Sequence, residues 1–186
     1  MIRPAETLVV GLSVVAVCAA TLAQTATETF TATASIKKGS VQATADVTVQ
    51  VQRYASETER ATLIKTVREG GTAAGQKVLA TMPDAGFIQL GERRTPIKFA
   101  VRRPTAGGEL ITVLTAAPIV FVGAGLPDAE VTTGFEVAVA ILDVKAEGGV
   151  GELASAANIG IDDGGAITVE NYGPTVIWLN RLVRAR

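Results

Sequence analysis

Apolar and polar residues alternate along two neighbouring stretches near the start of the chain. Phe30, Ala32, Ala34 and Ile36 are interleaved with Thr29, Thr31, Thr33 and Ser35. From Val41 to Val51 every odd position is apolar, and Gln42, Thr44, Asp46, Thr48 and Gln50 fill the even ones. A period of two marks a strand with one buried and one wet face. Lys37-Lys38-Gly39-Ser40 supplies a short connection, so the two stretches are expected to pair as an antiparallel hairpin.

The period changes after Ala55. Ser56-Glu57-Thr58-Glu59 fits a capping box, in which the Ser56 hydroxyl accepts from the Glu59 amide and the Glu59 carboxylate reaches back to the cap amide. Ala61, Leu63, Ile64 and Val67 then follow at near-helical spacing, and Gly70-Gly71 provides residues that tolerate left-handed geometry at a C-terminus. Thr72 can cap a second, shorter helix with Ala74, Val78, Leu79 and Met82 on its apolar face, ended by Pro83. A helical insert is therefore expected at about residues 56–82.

Beyond Gly86 the pattern returns to short apolar runs between turn residues. The expected strands cover 87–90, 97–103, 110–115, 119–122, 135–144, 157–161, 166–170 and 175–183. Asp162-Asp163-Gly164-Gly165 separates two of them with glycines that supply the positive φ of a tight hairpin. Within the last run, Val176-Ile177-Trp178-Leu179 reads as a buried strand, which places Trp178 in the core. The fold class is mainly β, bordering on α+β: an antiparallel β-sandwich or barrel-like sheet of about eight to ten strands with the helical insert.

The first residues follow a different logic. Arg3 precedes an almost wholly apolar run from Leu8 to Ala20, and Thr21-Leu22-Ala23 offers small residues before a polar sequence begins. That is the three-part pattern of a secretory signal peptide. The apolar run, about 13 residues, is shorter than the roughly 20 that span hydrocarbon as a helix. Residues 1–23 are thus expected to be cleaved, leaving a single strand-rich domain at 24–186 that is periplasmic or extracellular and has no stable transmembrane segment. Cys18, the one cysteine, leaves with the leader, so disulfides cannot hold the mature domain together.

Composition narrows the chemistry. The chain contains no histidine. Zinc sites built from His and Cys, haem attached through Cys-x-x-Cys-His, thiol nucleophiles and Ser-His-Asp triads all need residues the mature domain lacks. A formal net charge of −1 gives no bulk attraction to nucleic acid, and neither a cofactor nor a metal is expected.

Several groups of residues remain to be weighed. Arg93, Arg94, Lys98 and Arg102, with Arg103 beside them, form a basic cluster able to hold an anion. Its plainer interpretation is a strand whose solvent face carries Lys98 and Arg102 while Arg93 and Arg94 occupy a turn. Asp84, Asp128, Glu130, Asp162 and Asp163 are loop acids; two of them brought together could hydrolyse a glycosidic bond, and Asp162 with Asp163 could hold calcium. Turn chemistry accounts for such acids equally well. Gly123-Ala124-Gly125 lacks the third glycine and the following helix of a dinucleotide fingerprint. Ser35 with Lys37 or Lys38 is a close Ser-Lys pairing, at a strand end. Tyr172 with Trp178 could form a small aromatic platform.

No catalytic residue stands out. The expectation is a secreted or periplasmic bacterial protein acting as a non-catalytic binding or envelope domain, with a protein or envelope component as its partner. Two alternatives come from other classes: a carboxylate-dependent hydrolase acting on polysaccharide, and a carrier of a small apolar ligand inside a hollow barrel.

Overall fold

The structure is a computed structural model that describes residues 27–38, 41–119, 134–172 and 176–185. The expected leader, the Gly39-Ser40 connection, the Gly123–Gly125 stretch, Asp128 and Glu130 lie outside these residues. The described residues form ten strands and one helical segment: β1 Glu28–Lys38, β2 Val41–Val51, α1 Glu57–Thr81, β3 Gly86–Leu90, β4 Arg93–Ile97, β5 Phe99–Thr105, β6 Gly108–Leu114, β7 Val137–Lys145, β8 Gly149–Ile161, β9 Ile167–Tyr172 and β10 Val176–Arg184. No helix among the described residues is long and apolar enough to cross a membrane.

All the strand pairings are antiparallel. The hydrogen-bonded path runs β4-β3-β2-β1-β10-β8-β7-β6-β5, with β9 added on β8. Its two ends, β4 and β5, are consecutive pieces of chain with Lys98 alone between them. Ile97 accepts from Ala85 at 2.7 Å on the β3 side, and the Lys98 amide donates to Leu114 at 2.9 Å on the β6 side. One kinked strand therefore serves both ends of the sheet, which curls into a nearly closed barrel. Curvature of this kind is helped by bulges. The β1–β10 register shifts between Thr31 and Thr33, and Arg181 on the facing strand takes a left-handed φ of 53°.

Two apolar cores follow from strand parity. Inside the barrel, Phe30, Ile88, Ile97, Ile111, Leu142 and Leu153 are all buried and fill the interior. On the outside, Phe99, Leu114, Val137 and Val139 pack against Leu63, Val67 and Leu79 of α1, with Ile159 of β8 joining them.

The helical segment is a hairpin. Ser56 caps it, with the full capping box in place: the Ser56 Oγ accepts from the Glu59 amide at 3.2 Å and the Ser56 amide donates to Glu59 Oε2 at 2.8 Å. Gly71 breaks the helical backbone at φ 67° and ψ −166°, a conformation open to glycine. The arms then fold back on each other, because a Cβ on Gly75 would lie 3.7 Å from Leu63 Cδ1. In one straight helix, residues twelve apart are separated by about 18 Å. Arg53 ties the open end, donating to the Pro83 carbonyl at 2.9 Å and pairing with Glu59 at 3.0 Å. The expected pair of helices over 56–82 is thus present.

Four local expectations need correction. Arg93 and Arg94 belong to β4, and the turn before them is Gly91-Glu92. Strand β8 begins at Gly149, eight residues before the expected start. Lys37 and Lys38 extend β1, pairing with Gln42 and Val41, instead of forming the connection. Trp178 is 54% exposed, since Ile177 and Leu179 take the inward parity of β10 and turn it to the outer face.

Candidate functional site

The outer face of the barrel carries the site. Pairing of Val101 with Thr112, Thr112 with Ile141, Ile141 with Glu152 and Glu152 with Trp178 sets these five residues in one row across β5, β6, β7, β8 and β10. Beside that row stand Arg103 and Leu110, themselves a cross-strand pair. Because β8 continues past the barrel to Ile161 and returns as β9, the β8–β9 hairpin overhangs this face. Ile64 of α1 approaches it from the other side.

A groove results. Its first part is a partly enclosed concavity of about 320 Å³ with Phe99, Val101, Leu110 and Ile141 as floor, Ile64 and Ala166 as roof, and Arg60, Arg102 and Arg103 among its lining. Leu110, Ile141, Ala166, Ile167 and Arg103 are shared with a wider, more open concavity of about 600 Å³ that continues to Val169, Glu152, Asp162 and Trp178. The first volume lies at the lower end of the roughly 300–1,000 Å³ typical of small-ligand sites, and its apolar lining with a few polar groups is also typical.

The overhang is clamped in place by hydrogen bonds. Thr72 Oγ1 donates to the Ile159 carbonyl at 3.2 Å and accepts from its amide at 2.8 Å. Arg68 donates to the Asp162 carbonyl at 2.9 Å. Within the turn, the Asp162 amide donates to the Ala166 carbonyl at 3.0 Å, while Asp162 Oδ1 accepts from the Ala166 amide at 2.7 Å. Gly165 supplies the positive φ, 77°, that the expected hairpin turn required.

A second polar feature lies at one end of the barrel. Glu28, Arg102, Glu109 and Arg184 share the strand parity of the interior residues Phe30, Ala100, Ile111 and Leu182, and converge where a core would otherwise meet water. Arg102 pairs with Glu28 and, at 3.3 Å, with Glu109; Arg184 pairs with Glu109 and, at 3.3 Å, with Glu28. The Arg102 guanidinium also lies 4.3 Å from the Tyr54 ring centroid, a cation–π distance. Burial, reinforced by the charge of Glu28 and opposed by Arg102, holds the Tyr54 hydroxyl above its ordinary pKa. Two cations and two anions satisfy one another, so this group seals the barrel and has no charge left over for a ligand.

The basic cluster expected from the sequence does not converge. Arg93 and Arg94 sit at the far end of the kinked β4–β5 strand from Arg102, and Arg94 lies over the Phe87 ring while donating to Gln89 at 2.8 Å. Lys98 pairs with Asp84 at 2.7 Å. Arg102 belongs to the barrel seal. Arg103, the fifth cation, lines the groove together with Arg102 and with Arg60 of α1. Among the loop acids, Asp84 is held by Lys98 and Asp162 closes its own turn. No group of metal-ligating side chains occurs among the described residues. Ser35 accepts from Asn180 at 2.9 Å on the sheet surface.

No protein-family model matches the chain, and neither a curated protein nor a solved structure matches it significantly.

Proposed function

We propose that this chain is an exported, non-catalytic binding domain whose ligand seats in the groove beneath the β8–β9 hairpin. The supporting observation is the groove itself: an apolar, partly enclosed concavity of about 320 Å³ that opens into a second beside Trp178. Apolar surface of this kind has a free-energy gain waiting in its removal from water, and its walls are fixed by strand pairing and the Thr72 and Asp162 hydrogen bonds. Export rests on the leader pattern of residues 1–23. The same reading accounts for Asp84, paired with Lys98, and Asp162, which closes its own turn.

Trp178 is the sole tryptophan and lines the open end, so its emission reports on occupancy. Titration with decanol, an uncharged apolar probe, is expected to give a saturable blue shift. Ala166→Phe, which fills the junction of the two concavities, is expected to abolish it, and Leu110→Glu should do the same from the floor. Melting curves confirm that each variant is folded. A linear, non-saturating response, or equal responses from folded variants and wild type, overturns the proposal.

A further inference from the structure

We infer that the ligand of this groove is a small amphiphile with an anionic head, a carboxylate or phosphate, held between Arg60 and Arg103 with its apolar body running toward Trp178. This deepens the proposed function and rests on the groove being the binding surface. The two arginines come from different elements, α1 and β5, and both line the smaller concavity. Neither pairs with a carboxylate within 4.0 Å among the described residues. Their neighbour Arg102 is neutralised by Glu28 and Glu109. No acidic side chain lines this concavity.

The balance of charge changes at the other end. Glu152 and Asp162 line the open concavity beside Trp178 against one cation there, Arg103, whereas three arginines and no acid line the smaller concavity, so an anionic head is favoured at the arginine end. Between the two ends the shared floor is Leu110 and Ile141, which suits a hydrocarbon chain. Guanidinium groups bind carboxylates and phosphates through charge-assisted, often bidentate hydrogen bonds, and one beside an apolar wall is less screened than one in open water. Polarity and orientation of the ligand thus follow from one asymmetry along the groove.

The test compares decanoate, decyl phosphate, decanol and decylamine below their micellar concentrations, read by Trp178 emission and calorimetry. Decanoate or decyl phosphate is expected to bind about tenfold tighter than decanol, with the amine weakest and the preference shrinking as salt is raised. The tighter of the two anions identifies the head. Arg103→Gln should bring the decanoate-to-decanol ratio toward one, whereas Arg93→Gln on the distant strand should keep it. Equal affinities for decanol and both anions in the wild-type protein overturn the anionic head and leave the groove reading standing. A preference that survives Arg103→Gln also overturns it. Absence of saturable binding by all four compounds overturns both readings.

Discussion

Gly75 lies against Val67 across the helical hairpin, so that a Cβ added at Gly75 would come within 2.6 Å of Val67 Cγ2. The two arms can approach this closely only where one of them lacks a side chain. Gly75→Val is therefore expected to destabilise the domain by about 1–3 kcal/mol through overpacking, measured by urea unfolding. Val67→Ala in the same chain should recover part of that loss, because it vacates the space the new methyl groups need.

Ser56 and Glu59 predict a cap with a pH signature. Ser56→Ala should cost about 1 kcal/mol of stability. The hydrogen bond from the Ser56 amide holds the Glu59 carboxyl below its ordinary pKa of 4.5, and Arg53 adds to the effect. A depressed carboxylate stabilises the fold above its unfolded pKa and loses that contribution as pH falls through the folded one. The stability difference between wild type and Glu59→Gln should accordingly shrink as the pH is lowered below about 4.5, as followed by thermal melts.

The barrel seal predicts strong coupling between its members. Glu109→Gln leaves Arg184 and Arg102 with one carboxylate between them, and should cost roughly 1–2 kcal/mol, less than for a fully buried pair because water reaches part of the group. A double-mutant cycle of Glu109→Gln with Arg184→Gln should show non-additivity, since Arg184 pairs with Glu109 directly. At the alkaline end the sign is set by Tyr54. Its raised pKa means that the folded state keeps a proton the unfolded chain releases, so stability falls as pH climbs above 10.0; Tyr54→Phe should flatten that limb.

Trp178 provides a direct optical check on strand parity. With 54% exposure it should emit at the long wavelengths of a hydrated indole and be quenched efficiently by iodide. A short-wavelength, unquenchable emission would mean that β10 is turned over.

How far the fold can be read from the chain depends on how local the causes are. The β1–β2 alternation, the capping box, the Gly71 break and the Asp162–Gly165 turn each arise from neighbouring residues, and each was legible. Trp178 was not, because Val176-Ile177-Trp178-Leu179 is apolar throughout and its parity is fixed by pairing with β8. The early part of β8 was hidden by glycines: at Gly151 a Cβ would meet the Ile141 carbonyl at 2.8 Å, so close strand packing removes the side chains that would have shown a period. Arg93-Arg94-Thr95-Pro96 has turn-like composition, yet pairing with β3 makes it a strand.

The sites follow the same rule. Arg102 stands in a run of cations, but of its partners in the seal Glu28 and Arg184 lie far away in sequence, and Glu109 reaches it through the β5–β6 hairpin. A trace of them was present: each shares the parity of an apolar neighbour two residues along its strand, which puts four charges on the core-facing side. The groove left no such trace. Ile64, Leu110, Ile141 and Ala166 come from four separate elements, and only tertiary structure brings them together.

The most direct test of the central claim is a two-dimensional amide NMR titration of residues 24–186 with decanoate. Saturable shifts centred on Ile64, Val101, Leu110, Ile141, Ala166 and Ile167, with β2 and β3 unmoved, are the predicted result. Shifts confined to β2, β3 and β4, or no saturable shift at all, would contradict it.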